Sequence, residues 1–393
     1  MIDNSPLFIL LPFIILAFML GFFLGRRKAD KKQTLTSYSL TSDYFKGLNY
    51  LLNEQTDKAI NVFAGMLDVG EETVDTHIAL GNLYRQRGEV EQAIKIHQNV
   101  IAKPSLSLSR RNDALFELAR DFMHAGLLDR AENLFQELLK KQSHVQAALK
   151  YLLSVYQQEH DWEEAIYIAK KLQAASSVSY SRQVAHFYCE LALISQKSGN
   201  FKEALLLVKK ALGTDKQSVR ASILEGNLNK MMGNCKAASR AYRRVEQQDP
   251  MLLSEVQEPL VECYKELKKS KEIKSFLEHS LKKYGGITSI LLYSEQIRYE
   301  SGDKAAALFV VETLRKKPSI RGLSYLISIS LDFTKGTAHD NLLILQEITN
   351  NLLRDKPVYQ CDQCGFKAKT MYWQCPGCKS WSSIKPIQGI EGE

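Results

Sequence analysis

The chain has no GxxxxGK[ST] phosphate loop, no HExxH, no GxSxG and no cluster of carboxylates at helical spacing. P-loop nucleotide hydrolysis, zincin proteolysis and serine-nucleophile hydrolysis each need one of these arrangements, so the sequence offers no catalytic site. Charge of one sign is also thin, with 52 Lys and Arg against 44 Asp and Glu in 393 residues, a net +8. Residues 1–32 hold +3 of this, from Arg26, Arg27, Lys28, Lys31 and Lys32 against Asp3 and Asp30. The remaining +5 is too dilute for a nucleic-acid stripe. Seven cysteines is an odd number, whereas a secreted disulfide framework is normally even. Cys189, Cys235 and Cys263 sit singly in helical patterns and read as buried free thiols. That usage suits a reducing compartment. A 45% apolar and 24% charged composition excludes wholesale disorder.

What is present begins with residues 7–25, LFILLPFIILAFMLGFFLG, a stretch without a charge. At 1.5 Å per residue it spans about 28 Å, matching the ~30 Å hydrocarbon core of a bilayer. A cleaved signal peptide needs a basic leader and a small-residue cleavage site. Here Asp3 is the only charge before the run, and Arg26-Arg27-Lys28 comes directly after it. The expectation is an uncleaved anchor with its C-terminal side in the cytoplasm, since the positive charge lies only there. Gly21 and Gly25 form GxxxG, a spacing that permits close helix approach. A basic juxtamembrane linker is expected over 26–40.

Beyond the linker the chain is governed by a period near 34 residues. Gly81, Tyr84, Gly88, Ala93 and His97 set the pattern, and Gly47, Tyr50, Ala59 and Phe63 share its offsets. So do Ala119, Phe122, Gly126, Ala131 and Phe135, then Ala192, Gly199, Ala204 and Val208. Gly226, Gly233, Ala238, Tyr242 and Pro250 give the fullest late copy. The small residue of the second helix runs Ala59, Ala93, Ala131, Ala165, Ala204, Ala238, Ile273, Ala307, at spacings of 34, 38, 34, 39, 34, 35 and 34. Small residues let paired helices approach to 8–10 Å, and large residues three or four positions on are expected to fill the groove to the next hairpin. Glycine at the turn ends the first helix. The pattern resembles the tetratricopeptide repeat, in about eight hairpins over 41–318, with a divergent helical cap and linker over 319–357. Such arrays wind into a superhelix whose concave face holds partners. Core packing is the reading for the motif residues. His77, His97, His186 and His279 read as structural or solvated, and the paired lysines and arginines between motifs as solvated faces.

Residues 358–387 contain Cys361-x2-Cys364 and Cys375-x2-Cys378. Two tight turns carrying paired thiolates can surround one tetrahedral ion at about 2.3 Å. Gly365 and Gly377 are expected to allow the turns, Pro376 to stiffen the second, and Tyr372, Trp373 and Trp381 to cover a module too small for its own core. Four cysteine ligands leave no open coordination position, so the metal is expected to be structural. Zinc is the expected ion, and a tetrathiolate site also accepts iron. The sum is an all-α tetratricopeptide superhelix behind an N-terminal transmembrane helix, ending in a small rubredoxin-like zinc ribbon.

A ribbon of the form CxxCG…CPxC followed by tryptophan also heads a bacterial DNA-repair ATPase, but here it is C-terminal and no phosphate loop comes after it. An anchor ending in Gly25-Arg26-Arg27, then repeats, then the ribbon, resembles the bacterial lipopolysaccharide assembly protein B family over essentially the whole chain. The carrying segments are LGNLYRQRGEVEQAIKIHQ (80–98), AHFYCELAL (185–193) and CDQCGFKAKTMYWQCPGCKSWSSIKPI (361–387). The resemblance implies a Gram-negative inner-membrane protein, single-pass, with its bulk in the cytoplasm. It implies a non-enzymatic adaptor that delivers the committed lipid A pathway deacetylase to a membrane-bound AAA+ zinc protease. It also implies links to other lipopolysaccharide assembly proteins. The competing reading is a metal- or redox-responsive scaffold for an envelope assembly complex, without a proteolytic role.

Overall fold

The structure, a computed structural model, describes residues 45–47, 49, 50, 53, 55–64 and 73–393. The expected anchor (7–25) and linker (26–40) lie outside the described residues. Among the described residues no helix is long and apolar enough to cross a membrane. The fold is mostly helical and tetratricopeptide-like, with a small C-terminal ribbon, and it divides into two compact units, residues 1–159 and 160–393.

The first unit contains α1 (Thr56–Ala64), α2 (Val74–Gln86), α3 (Val90–Ile101), α4 (Leu108–His124), α5 (Leu128–Lys140) and α6 (Val145–Glu159). Gly81 of α2 shows why the motif needs a small residue. A Cβ there would lie 2.5 Å from the ring of His97 on α3. His97 is fully buried, with Nδ1 2.5 Å from Asp121 Oδ2, while Arg85 donates to Asp121 Oδ1 at 2.7 Å and to Glu117 at 2.7 Å. A phenylalanine at position 97 would leave one oxygen of this buried carboxylate short of a partner.

The second unit runs through α7 (Trp162–Ala175), α8 (Ser181–Lys197), α9 (Phe201–Thr214), α10 (Val219–Met231) and α11 (Cys235–Gln248). A 3-10 turn at Pro250–Leu252 leads to α12 (Ser254–Glu266), α13 (Ser270–Lys283), α14 (Ile287–Ser301) and α15 (Asp303–Lys316). The helical pair α16 (Ile320–Leu331) and α17 (Thr337–Arg354) comes next, over the segment where the sequence motif has faded. Cys189, Cys235 and Cys263 are buried, and burial pushes the Cys189 thiol up to about 12.

The large residues of the second helices pack within their own hairpin as well as toward the next, where Phe135 stacks on Tyr151 with ring centres 5.2 Å apart. In α11 the Tyr242 ring presses onto Gly226 of α10, its own partner, where a Cβ would come within 2.3 Å. Gly226→Ala should therefore force ring or backbone apart and cost about 1–3 kcal/mol, read as a lower denaturant midpoint at unchanged slope. An unchanged midpoint would show that the pair has slack.

Four of the turns between paired helices share one geometry. Gly88, Gly126, Gly199 and Gly233 all take positive φ, from 74° to 84°. At the 264–269 turn the same place is held by Lys268 at φ 57°, and Lys269 N–H still bonds back to Tyr264 O at 2.8 Å, as Asn234 N–H does to Asn229 O. This is the Schellman closure, imposed here on a side chain that disfavours it. Lys268→Gly is expected to stabilise the protein by about 0.5–1 kcal/mol, after the entropy that glycine adds to the unfolded chain. A lower melting temperature would contradict that account.

Candidate metal centre

The ribbon has three strands, β1 (Tyr359–Cys361), β2 (Lys367–Ala368) and β3 (Ile384–Pro386), in the antiparallel order β2-β1-β3. Tyr359 pairs with Ala368 and with Pro386, and Cys361 with Ile384. Strands this short bury little, and the module's interior is Cys361, Cys375 and Ile384, flanked by Tyr359 and Met371. Something other than apolar burial must hold it.

The two CxxC turns are near copies. In the first, Cys361 N–H donates to Phe366 O at 2.8 Å and Gly365 N–H to Cys361 O at 3.0 Å. In the second, Cys375 N–H donates to Ser380 O and Lys379 N–H to Cys375 O, both at 2.9 Å. Each turn closes on a left-handed residue, Gly365 at φ 75° and Lys379 at φ 59°. The second turn thus uses Lys379 and not Gly377, whose missing Cβ would make only ordinary contacts of 3.5 and 3.8 Å with the Cys364 and Cys375 sulfurs.

These turns bring the four sulfurs within 4.8 Å of one another. Cys361 and Cys378 are 3.7 Å apart, Cys364 and Cys375 3.6 Å. A tetrahedral ion bonded to sulfur at ~2.3 Å requires sulfur separations of about 3.8 Å, whereas a disulfide requires ~2.05 Å. The residues therefore fit a single tetrahedral ion. Burial raises the Cys361 thiol, but its hydrogen bonds with Ser383 and with backbone amides outweigh it and bring it down to about 6.

The ribbon is seated on helices of the second unit. Trp381 stacks on His186 of α8, with centroids 4.6 Å apart and planes at 22°, and meets Phe187 edge-on. His186 Nε2 lies 2.7 Å from Ser382 Oγ. Arg220 of α10 is buried, gives one hydrogen bond to Glu190 at 2.8 Å, and has no hydrogen-bond partner at Nε and Nη1. Its guanidinium lies 5.8 and 5.9 Å from the Trp373 and Trp381 ring centres, whose faces partly replace those bonds. On α12 the Tyr359 hydroxyl donates to Glu255 at 2.9 Å, and Lys385 pairs with Asp249 just before the 3-10 turn. The tail closes the arrangement. Thr288 donates to the Glu393 carboxylate from its N–H at 3.0 Å and its hydroxyl at 2.7 Å, and Arg321 of α16 donates at 2.9 Å.

Residues 359–386 match a family model described as a rubredoxin metal binding domain, and tetratricopeptide repeat models match 76–108 and 116–179. Across its length the chain is 38% identical to lipopolysaccharide assembly protein B of Escherichia coli K12, covering 98% of this chain and 99% of that protein. The chain belongs to the lipopolysaccharide assembly protein B family. The family protein of Haemophilus influenzae is 34% identical, with 98% of each chain covered. Members carry the name of assembly proteins, and the fold is a scaffold type and not that of a catalytic family. A solved tetratricopeptide repeat protein of Parabacteroides merdae aligns with 80% of this chain and all of its own, at 15% identity and TM-score 0.26, too loosely to bear on function.

In this member of the lipopolysaccharide assembly protein B family, the structure brings Cys361, Cys364, Cys375 and Cys378 together. It does not use Trp373 and Trp381 merely as a cover for the metal module. They are its docking groups, while Tyr372 stays exposed. His186 is part of the seat and not a solvated side chain. Burial, reinforced by the Arg220 and Arg182 charges, lowers its pKa to about 3, so it is neutral at physiological pH. Its Nδ1 has no partner, so the less costly tautomer carries the proton on Nε2 and donates to Ser382. No sequence spacing links residues 196 positions apart.

Proposed function

We propose that the chain is a non-enzymatic adaptor in lipopolysaccharide assembly, anchored in a Gram-negative inner membrane by residues 7–25 with the rest in the cytoplasm. The observation carrying this reading is the end-to-end match to proteins named for lipopolysaccharide assembly. Cys361, Cys364, Cys375 and Cys378 hold one structural ion, zinc or iron, that keeps the ribbon folded against α8, α10 and α12. The finer role rests on the family resemblance. The adaptor presents the committed lipid A deacetylase to a membrane-bound AAA+ zinc protease, and so limits lipopolysaccharide synthesis. In the first unit, Phe116, Arg120 and Tyr151 on α4 and α6 form a half-buried aromatic and cationic cluster, with Arg120 5.7 Å from the Tyr151 ring centre, suited to a partner segment.

The deciding measurement is the deacetylase half-life after this protein is depleted. Lengthening supports the adaptor, and an unchanged half-life leaves only an assembly scaffold. Tethering adds a second test, because confinement to one membrane raises effective concentration without new contacts. Deleting residues 7–28 should leave a folded protein that binds the deacetylase yet promotes its degradation poorly at native expression, with partial recovery on overexpression. Full activity at native level would remove the case for tethering.

A further inference from the structure

Helix α17 is covered on one side only. His339, Leu342, Gln346, Thr349 and Leu353, spaced three and four apart, form the face turned toward the protein, and of these Thr349 alone is buried. On the opposite face Ile344 is 57% exposed, Leu345 49%, Ile348 50% and Leu352 50%. At 3.6 residues per turn these four side chains form one stripe. Earlier second helices do not show this, because α9, α11, α13 and α15 are each met by the first helix of the next hairpin. After α17 there is no further hairpin. The ribbon that comes next is seated at His186, Arg220 and Glu255, on α8, α10 and α12.

We propose that this stripe pairs, antiparallel, with the same stripe on a second copy of the chain. The helix's own charges select that occupant and that direction. Asp340, Glu347 and Arg354 lie seven residues apart along one flank of the stripe. A parallel pair would turn this flank toward the opposite, uncharged flank of the other copy, leaving all three charges without a partner across the seam. An antiparallel pair about Ile348 brings Asp340 within reach of Arg354 of the other copy at both ends, and leaves only Glu347 beside its like. Ile344 then meets Leu352 across the axis. The four half-exposed side chains offer roughly 350 Å² of apolar surface per copy, so with its polar flanks the pair reaches the ~1,000 Å² at the low end of specific interfaces. The dimer is thus a weak one, and confinement in a membrane would strengthen it. It stands independently of the adaptor reading, since neither the metal nor any partner enters it.

The test uses the full chain in detergent micelles, with a cysteine introduced on the axis. After mild oxidation, Ile348→Cys should give at least about tenfold more covalent dimer than Lys304→Cys on exposed α15, both measured above the parent chain treated identically. Adding Ile344→Glu should bring the yield down to the Lys304→Cys level while the helical circular dichroism stays unchanged. Yields no better than the control, or undiminished by Ile344→Glu, overturn the proposal. Direction is tested by charge exchange on the Ile348→Cys background. Asp340→Arg and Arg354→Asp should each lower the yield roughly two- to fivefold, the range of an exposed ion pair, and together restore it. A double variant no better than the singles overturns the antiparallel arrangement. Any association through residues 7–25 is common to all variants and cannot produce these differences.

Discussion

Replacing Cys375 by serine is expected to unfold the ribbon and release it from the helices, while most helical signal persists. The sulfur is fully buried between two turns, and the strands on either side are two or three residues long. With an interior of three residues the ribbon's stability is essentially its metal-binding free energy, on the order of 10 kcal/mol for a four-ligand zinc site. Losing one thiolate removes a large part of that, well beyond what β1, β2 and β3 can supply. The consequence reaches α8 and α10, because Trp381 and Trp373 leave the His186 and Arg220 side chains. The chain has three tryptophans and two of them sit in this seat, so emission should shift strongly to the red. Lys367, Lys369 and Lys379 should become trypsin-sensitive. Removing the ion from the unmutated protein with a strong chelator should reproduce both changes. Unshifted emission together with wild-type protease resistance in Cys375→Ser would show that the ribbon stands without its metal.

The parts of this molecule that could be read from sequence are those in which one local rule repeats. Helical hairpins are legible because a small residue on one helix and a large one on its partner recur at fixed offsets, as Gly226 and Tyr242 show. The cysteine pairs were legible because metal ligation fixes residue type and spacing together. Residues 319–357 were only partly legible. Their motif residues have been replaced, and the turn is rebuilt, with Gly336 at positive φ directly before α17 instead of closing α16. The seat of the ribbon was not legible. It joins His186 to Ser382, Arg220 to two tryptophans and Tyr359 to Glu255, and each partner alone has an ordinary reading as core, surface or cover. Long-range pairing of this kind leaves no period in one sequence. The nearest thing to a signal was an excess of aromatic residues, Tyr372, Trp373 and Trp381, around a metal module whose interior needs few of them.

Acid should weaken this seat through His186. The folded pKa of about 3 lies below the ordinary histidine value of 6.5, because burial and the nearby Arg220 and Arg182 charges disfavour the imidazolium. As pH falls below 6.5 the unfolded or undocked chain takes up a proton that the docked chain refuses, so stability falls with pH and continues to fall down to about 3. Each pH unit in that window removes roughly 1.4 kcal/mol, so near pH 4.5 the loss is on the order of 2–3 kcal/mol. Undocking is sufficient to relieve it, because Trp381 and Ser382 form one wall of the histidine's pocket. Cysteine thiolates also take up protons as the pH falls and release the metal, so the wild-type curve alone does not identify the group responsible. His186→Phe separates the two. It keeps a ring against Trp381 and leaves all four cysteines in place, but it has nothing to protonate. The variant should be less stable than wild type at pH 7, where the Ser382 hydrogen bond is lost, and should lose roughly 2–3 kcal/mol less between pH 6.5 and 4.5. Denaturant titrations followed by tryptophan emission would measure both slopes. If the two proteins lose stability in parallel, His186 is not the group that senses acid, and the metal site alone accounts for the loss.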